Sequence, residues 1–203
     1  PFIIPAMGSH GGATAEGQRE VLASYSITEK TMGCPIKASM ETVQVGVSEY
    51  GMPVHMDKYA SEADGIIAVN RVKPHTAFRG KYESGLLKMI TIGLGKQHGA
   101  ETCHAESFKY MEKNITAISR EALGKCKILF GVATVENAYD ETRRIEAIPS
   151  DRFFEEEPVL LEEAKKHMPS ILLNEIDVLI VDEIGKNISG DGMDPNITGT
   201  FAT

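Results

Sequence analysis

The apolar positions of the chain fall into short runs separated by glycine- and proline-marked breaks. Residues 2–7 form the first, closed by Gly8, and read as a buried strand whose prolines place it at a start or an edge. A turn from Gly8 to Thr14 follows, with Thr14 as the N-cap of a helix over residues 15–25 that puts Val21, Leu22 and Tyr25 on one face. Strand, glycine turn and helix open a βα unit. Period-two alternation from Glu41 to Val47 predicts a half-exposed strand, and residues 57–63 suit a short helix. Residues 64–70 are apolar and β-branched, as in a central parallel strand covered on both faces. A nearly continuous apolar stretch from Glu83 to Leu94 predicts a buried helix interrupted by glycines. Phe108, Met111, Ile115 and Ile118 recur at helical spacing within a helix expected over residues 105–123. Strands are expected at residues 127–135 and 143–148. A helix from Glu155 to about His167 has acids at its start and bases at its end, as the macrodipole favours. Past Pro169, residues 177–182 read as a strand leading into a glycine-rich loop from Gly185 to Pro195.

This alternation predicts an α/β fold: a largely parallel sheet with helices on both faces, Rossmann-like. Pro1 stands where a native start has Met, and Thr203 falls inside patterned sequence. The chain is accordingly expected to be an excerpt of a two-domain protein, with an N-terminal α/β catalytic domain over residues 1–173 and the start of a second over 174–203.

Charge narrows the partners. A net charge of −8 argues against a nucleic-acid surface and for a small-molecule partner. The cysteines, Cys34, Cys103 and Cys126, include no CxxC pair, so neither a disulfide framework nor a thiolate zinc site is indicated, and a reducing, cytoplasmic setting is expected. No apolar run approaches the roughly 20 residues of a membrane helix.

The stretch from Val72 to His104 gathers the candidate chemistry. His75 and Arg79 lie just past the C-terminal end of the predicted strand over 64–70, where open α/β sheets hold ligands. Lys88 follows Glu83 by five residues in an apolar setting, where a lysine snorkels, pairs with a carboxylate such as Glu83, or has a lowered pKa and reacts. His10 stands in a strand-to-helix turn with Gly8, Gly11 and Gly12, and is either a functional group or part of a turn beside an anion-receptive helix start. The spacing of Gly93, Gly95 and Gly99 fails the dinucleotide fingerprint and reads better as a glycine-capped helix end. His55 and His167 read as surface or helix-end residues, His98 is ambiguous, and His104, beside Cys103, is either structural or an imidazole ligand at a helix start. Together these groups suit proton transfer with a covalent or metal cofactor.

Four of these features resemble the nickel-pincer-dependent lactate racemase family. They are Gly8-Ser9-His10 with Thr14, Pro74-His75, Ser84-Gly85-Leu86-Leu87-Lys88, and His104 sixteen residues after that lysine. The resemblance implies an isomerase, a racemase or epimerase of a 2-hydroxy acid. Its cofactor is a nickel-pincer nucleotide (pyridinium-3,5-bisthiocarboxylic acid mononucleotide nickel), supplied by cofactor-synthesis enzymes. On that reading Lys88 tethers the cofactor, His104 ligates Ni, and His10 and His75 are the acid/base pair. Arg79 is the candidate for the substrate carboxylate, because a guanidinium can hold one bidentately. The longer loop between His75 and Lys88, and the Asp194-Pro195-Asn196 segment in place of the family's Gln and Lys, point to a substrate other than lactate. Two further readings of the residues stay open: a non-catalytic nucleotide- or anion-binding α/β domain, and a lysine Schiff-base enzyme using Lys88.

Overall fold

The computed structural model describes residues 1–105, 107–184 and 193–199. Strands β1 (Thr42–Val47) and β2 (Pro53–Asp57) form an antiparallel hairpin. Strands β3 (Ile66–Arg71), β4 (Ile128–Glu136) and β5 (Thr142–Pro149) form a second sheet in that order, with β3 and β4 parallel and β4 and β5 antiparallel. The fold is α/β, but the largely parallel sheet expected from the pattern is corrected among the described residues: of the pairings between named strands, β3–β4 alone is parallel. The connections over residues 48–52 and 137–141 are too short for anything but hairpins, whereas the β3–β4 crossover has room for helices.

Two other expectations change. Residues 2–7 contribute an isolated parallel bridge, Ile3 to Ile36, with hydrogen bonds from Ile3 N to Pro35 O and from Lys37 N to Ile3 O, both 2.8 Å. Pro5 has no N–H to extend the ladder. The other concerns β3, which is covered on one face only: Ile66 and Ala68 are buried while Ile67 and Val69 stay exposed, as do Leu129 and Ile145 on the neighbouring strands. Residues 177–182, expected as a strand, pair with no strand among the described residues, and the loop over 185–192 lies outside them.

The expected helices form with shifted limits. Thr14 caps α1 (Ala15–Ser24) by accepting from Gly17 N at 3.0 Å. A capping box between Thr28 and Thr31 starts the short α2 (Glu29–Met32), and Asp57 caps α3 (Lys58–Ser61). The apolar stretch beyond Glu83 forms α4 (Leu86–Lys88) and continues as a π-helical segment, Met89–Gly93. Next, α5 (Lys96–His104) occupies residues expected to be a capped helix end, and α6 (Met111–Lys125) begins later than its periodicity suggested. His104 therefore sits at the C-terminal end of a helix, not at a helix start. A helix α7 (Phe153–His167) and a short α8 (Pro195–Thr198) complete the described elements.

The core lies between the covered face of the sheet and α4, α6 and α7. Leu86 and Leu87 of α4 and Phe153, Leu160 and Leu161 of α7 meet Ala133, Val135 and Ile148, all buried. Each large apolar side chain contributes roughly 1.5–3 kcal/mol by leaving water. Gly131 admits this approach, since a Cβ there would lie 2.5 Å from Leu86 Cδ1 and 3.0 Å from Phe153 Cζ. Pro158 lies inside α7, and the Phe154 carbonyl four residues earlier, which it cannot serve, accepts instead from the Tyr82 hydroxyl at 3.0 Å. That bond fastens the segment leading to Lys88 onto α7. No helix among the described residues is long and apolar enough to cross a membrane.

Candidate active site

The crossover from β3 to β4 carries most of the candidate groups. Beyond Arg71 the chain stays extended: Lys73 and Ser84 form an antiparallel bridge, Lys73 N to Ser84 O at 3.0 Å and Ser84 N to Lys73 O at 3.2 Å. Asn70 Nδ2 donates to Gly85 O at 2.7 Å. The start of α4 is thus pinned to the end of β3. From α7, buried Glu157 accepts from Leu87 N at 3.0 Å and caps the helix that bears Lys88. Burial pushes the Glu157 carboxyl up to about 7, against the lowering effect of the Leu87 and Leu86 amides.

His75 occupies the loop between these anchors. Its N–H donates to Glu83 Oε2 at 2.7 Å, and its carbonyl accepts from Arg79 Nη1 at 3.0 Å and from Asn196 Nδ2 at 3.2 Å. The ring stacks at 4.4 Å, centroid to centroid, on buried Phe78. Its Nδ1 accepts from Ala77 N at 3.0 Å, which assigns the neutral ring proton to Nε2. Burial lowers the His75 pKa to about 3, helped by the charges of Lys88, Lys73, His104 and Arg79.

Lys88, His104 and His75 share one electrostatic neighbourhood. The Lys88 amine lies 6.0 Å from the Phe78 ring centre, and Phe108 stands 5.6 Å from His104 and 6.4 Å from His75. Burial lowers the Lys88 pKa to about 8, with Lys73 adding to the effect and Cys103 opposing it. The same two kinds of cause, burial first and then the Lys88 charge, lower His104. Cys103 is pushed up to about 12 by burial and stays a thiol.

The carboxylate expected for Lys88 is committed elsewhere. Glu83 pairs with Lys165 at 3.2 Å and with Arg79 at 3.7 Å. Arg79 accordingly braces the His75 loop through both Glu83 and the His75 carbonyl.

His10 is reached through a different network. It is exposed, in a turn whose Gly8 and His10 carbonyls both accept from Gln18 Nε2, at 2.9 and 3.2 Å. Gln18 Oε1 accepts in turn from Lys96 Nζ at 3.2 Å, and the same ammonium pairs with Asp57 Oδ2 at 3.2 Å. All three side chains are fully buried. A Cβ on Gly8 would lie 2.9 Å from Ile92 Cγ2, so the turn rests on the π-helical segment. The turn that carries His10 thereby packs, through Gly8, on the helical stretch that runs on to His104.

The lactate racemase N-terminal domain model matches residues 2–116. The chain belongs to that family. Its fold is similar to the solved lactate racemase apoprotein from Thermoanaerobacterium thermosaccharolyticum, with a TM-score of 0.54 and 18% identity over 74% of this chain and 38% of that one. The chain thus spans well under half the length of that lactate racemase. Among curated proteins, none matches it. Within this lactate racemase N-terminal domain, sequence reasoning singled out His75, Arg79, Lys88 and His104 but not Lys73, Glu157, Asn196 or the Gln18–Lys96–Asp57 network. Lys73, two residues before His75 in an extended X-Pro segment, was visible in the spacing. The others depend on contacts between residues remote in sequence, from the Asp57–Lys96 pair to the Asn196–His75 bond, except for those that Gln18 makes with the nearby turn.

Proposed function

We propose that this chain forms the cofactor-bearing part of a racemase or epimerase acting on a 2-hydroxy acid. The observation that carries the reading is Lys88: an amine lowered to about 8, without a carboxylate ion-pair partner among the described residues, beside His75 and His104.

The donor set fits a nickel-pincer nucleotide. Among the described residues no cluster of three or more His, Cys, Asp or Glu could hold a metal ion. Cys103 is a thiol held far from its thiolate form. A single imidazole, His104, therefore suits a metal whose remaining ligands arrive with a bound group, and sulfur with imidazole suits Ni(II). Lys88 would tether that group through its amine. When bound, the nickel-pincer nucleotide supplies a reversible acceptor for the substrate's α-hydrogen as hydride.

The chain's residues supply proton transfer. His75 and His10 are the proposed acid/base pair for the substrate hydroxyl, one for each enantiomer. In the ligand-free state His75 is a poor base, because four cationic or basic neighbours and burial disfavour its imidazolium. A tether at the Lys88 nitrogen would remove one of those charges and an anionic substrate would offset others, so both would raise the His75 pKa from its ligand-free value. Proton uptake at Nε2 also requires the ring proton to leave that nitrogen, and so requires release of the Ala77 contact. Arg79 is retained as a candidate for an anionic group, acting from the brace it forms with Glu83.

Residues 1–173 are assigned to the catalytic domain and 174–203 to the start of a second α/β domain. Val178 and Ile180 are apolar yet exposed and lie outside the buried core of the preceding residues, which supports this division.

The test is intact mass and metal analysis of full-length protein co-expressed with the cofactor-synthesis enzymes. We expect a mass increase and bound nickel in the wild type, no adduct in Lys88→Ala, and retained nickel without turnover in His75→Ala and His10→Ala. A wild-type protein with no mass increase overturns the tether. Because the same lowered amine also suits imine formation, borohydride trapping with a carbonyl substrate identifies a Schiff-base enzyme if it labels Lys88 in its place.

A further inference from the structure

Resting on that reading, we infer that Lys73 is the cation that receives the carboxylate of the substrate's 2-hydroxy acid, with His75 addressing the hydroxyl on the adjacent carbon.

The backbone of Lys73 is fixed on both sides. Its N–H and carbonyl are tied to Ser84, at the start of the segment that carries Lys88. Pro74 follows it, and a residue before proline is held extended. In an extended chain positions i and i+2 project to the same face, about 6.6 Å apart. Lys73 and His75 are such a pair: Val72 and Pro74 are buried, whereas Lys73 is exposed and His75 half-buried, so the two share the outward face of the segment, and the Lys73 charge is among those that disfavour the charged forms of His75 and Lys88. A 2-hydroxy acid has its hydroxyl and carboxylate on neighbouring carbons, so two groups on one face of an extended segment can address both.

The cations nearby are not equivalent. Arg79 is held by Glu83 and by the His75 carbonyl, and Arg71 pairs with Glu136. Lys73 is accessible to solvent. Asp194, Glu136 and Asp140 act on it electrostatically, but none closes an ion pair with it among the described residues. Protein around the side chain disfavours the isolated ammonium, as does the Arg71 charge. An incoming carboxylate relieves that cost. Lys88, the other amine of the cluster, is consumed by the tether. This leaves Lys73 as the ammonium beside His75 available to a second anion.

The test uses full-length, cofactor-loaded protein titrated calorimetrically with 2-hydroxyisobutyrate, a 2-hydroxy acid without an α-hydrogen, so that binding is read without turnover. Intact mass is recorded for every variant. A charge-assisted hydrogen bond of ordinary strength predicts binding weaker by roughly ten- to a hundredfold in Lys73→Met, with the adduct mass unchanged. Lys73→Arg should recover most of the affinity, and the wild type should bind more tightly as salt is lowered. Unchanged affinity in Lys73→Met overturns the inference, as does Lys73→Arg binding no better than Lys73→Met. Loss of the adduct mass in Lys73→Met also overturns it, assigning the residue to cofactor binding. Absence of the adduct from the wild type is a separate result: it removes the tether reading and this inference with it.

Discussion

The backbone N–H of His75 donates to Glu83 Oε2 at 2.7 Å, joining the candidate base to a carboxylate whose side chain is fully buried. Glu83 also receives Lys165 and Arg79, so a single acidic group ties the His75 loop to α7. Glu83→Ala leaves the His75 amide without its acceptor and strips Lys165 and Arg79 of their buried partner, with Lys165 keeping Glu162 at 3.0 Å, and is expected to cost about 3 kcal/mol. Glu83→Gln keeps the shape and one acceptor and should cost about 1 kcal/mol. Urea unfolding of the two variants checks the order; equal costs would show that the carboxylate charge carries nothing beyond the side chain's shape.

The acid limb of stability should report on His75. Its pKa falls from an unfolded value near 6.5 to about 3 in the fold, so the unfolded chain takes up the proton first. Stability is whole above about 6.5, declines as pH falls, and the loss is complete once pH passes below about 3. His75→Asn places an oxygen where Nδ1 accepts from Ala77 and cannot titrate in this range. Its urea midpoint should fall less than that of the wild type between pH 6.5 and 4. His55 and His104 are lowered as well and contribute to both proteins alike. Parallel curves for the two proteins would exclude a depressed His75.

Amine and thiol labelling should separate Lys88 from Cys103. With a pKa of about 8, Lys88 is largely a free amine by pH 8.5. Brief acetylation followed by peptide mass analysis should modify Lys88 ahead of the exposed lysines Lys81 and Lys109, with a rate that titrates near 8. Cys103, pushed up to about 12 and fully buried, should resist iodoacetamide at that pH. A Lys88 rate no faster than that of Lys81 would contradict the lowered amine.

Gly85 has a packing role that Glu157 defines. A Cβ on Gly85 would fall 2.5 Å from Glu157 Cδ and 2.6 Å from its Oε1, so Gly85→Ala displaces the carboxyl that caps α4. The expected cost is about 1–3 kcal/mol. Pairing it with Glu157→Ala should recover part of that loss, a coupling that a double-mutant cycle measures. Additive effects would mean that the two residues do not meet. The titration of Glu157 runs opposite to that of His75: its carboxyl is raised from 4.5 to about 7, so its contribution is full below about 4.5 and is lost as pH rises through 7.

Local pattern revealed those parts of the fold whose forces are local. Thr14 as a cap, the helix after Glu83 and the acidic and basic ends of α7 need only near neighbours. The β1–β2 hairpin is not legible from pattern, because Val54 and Met56 make too short an alternation to mark a second strand, although Gly51 at φ +78° forms the turn. Apolar Ile67 and Val69 predict a strand β3 covered on both faces, yet both stay exposed. Lys88 was legible as a lysine in apolar surroundings. Its freedom from Glu83 was not, because Lys165, 82 residues further along, claims that carboxylate. Lys96 illustrates the same limit. Its place among glycines suggested a helix end, while its ammonium is buried against Asp57 and Gln18, residues remote in sequence.

Because β3 and β4 pair in parallel, the chain from Val72 to Lys127, with Lys88 and His104 inside it, is a closed loop whose ends must meet before its interior can settle. Closing so long a loop carries an entropic cost that local helix formation does not repay, and such topologies fold slowly. The β4–β5 hairpin and the amphipathic α6 can form early. The groups around His75 come together only after the long-range encounter of the strands. Pulse-labelled hydrogen exchange during refolding should therefore protect α6 amides before those of β3, and Lys88 gains its neighbours at the last stage of folding.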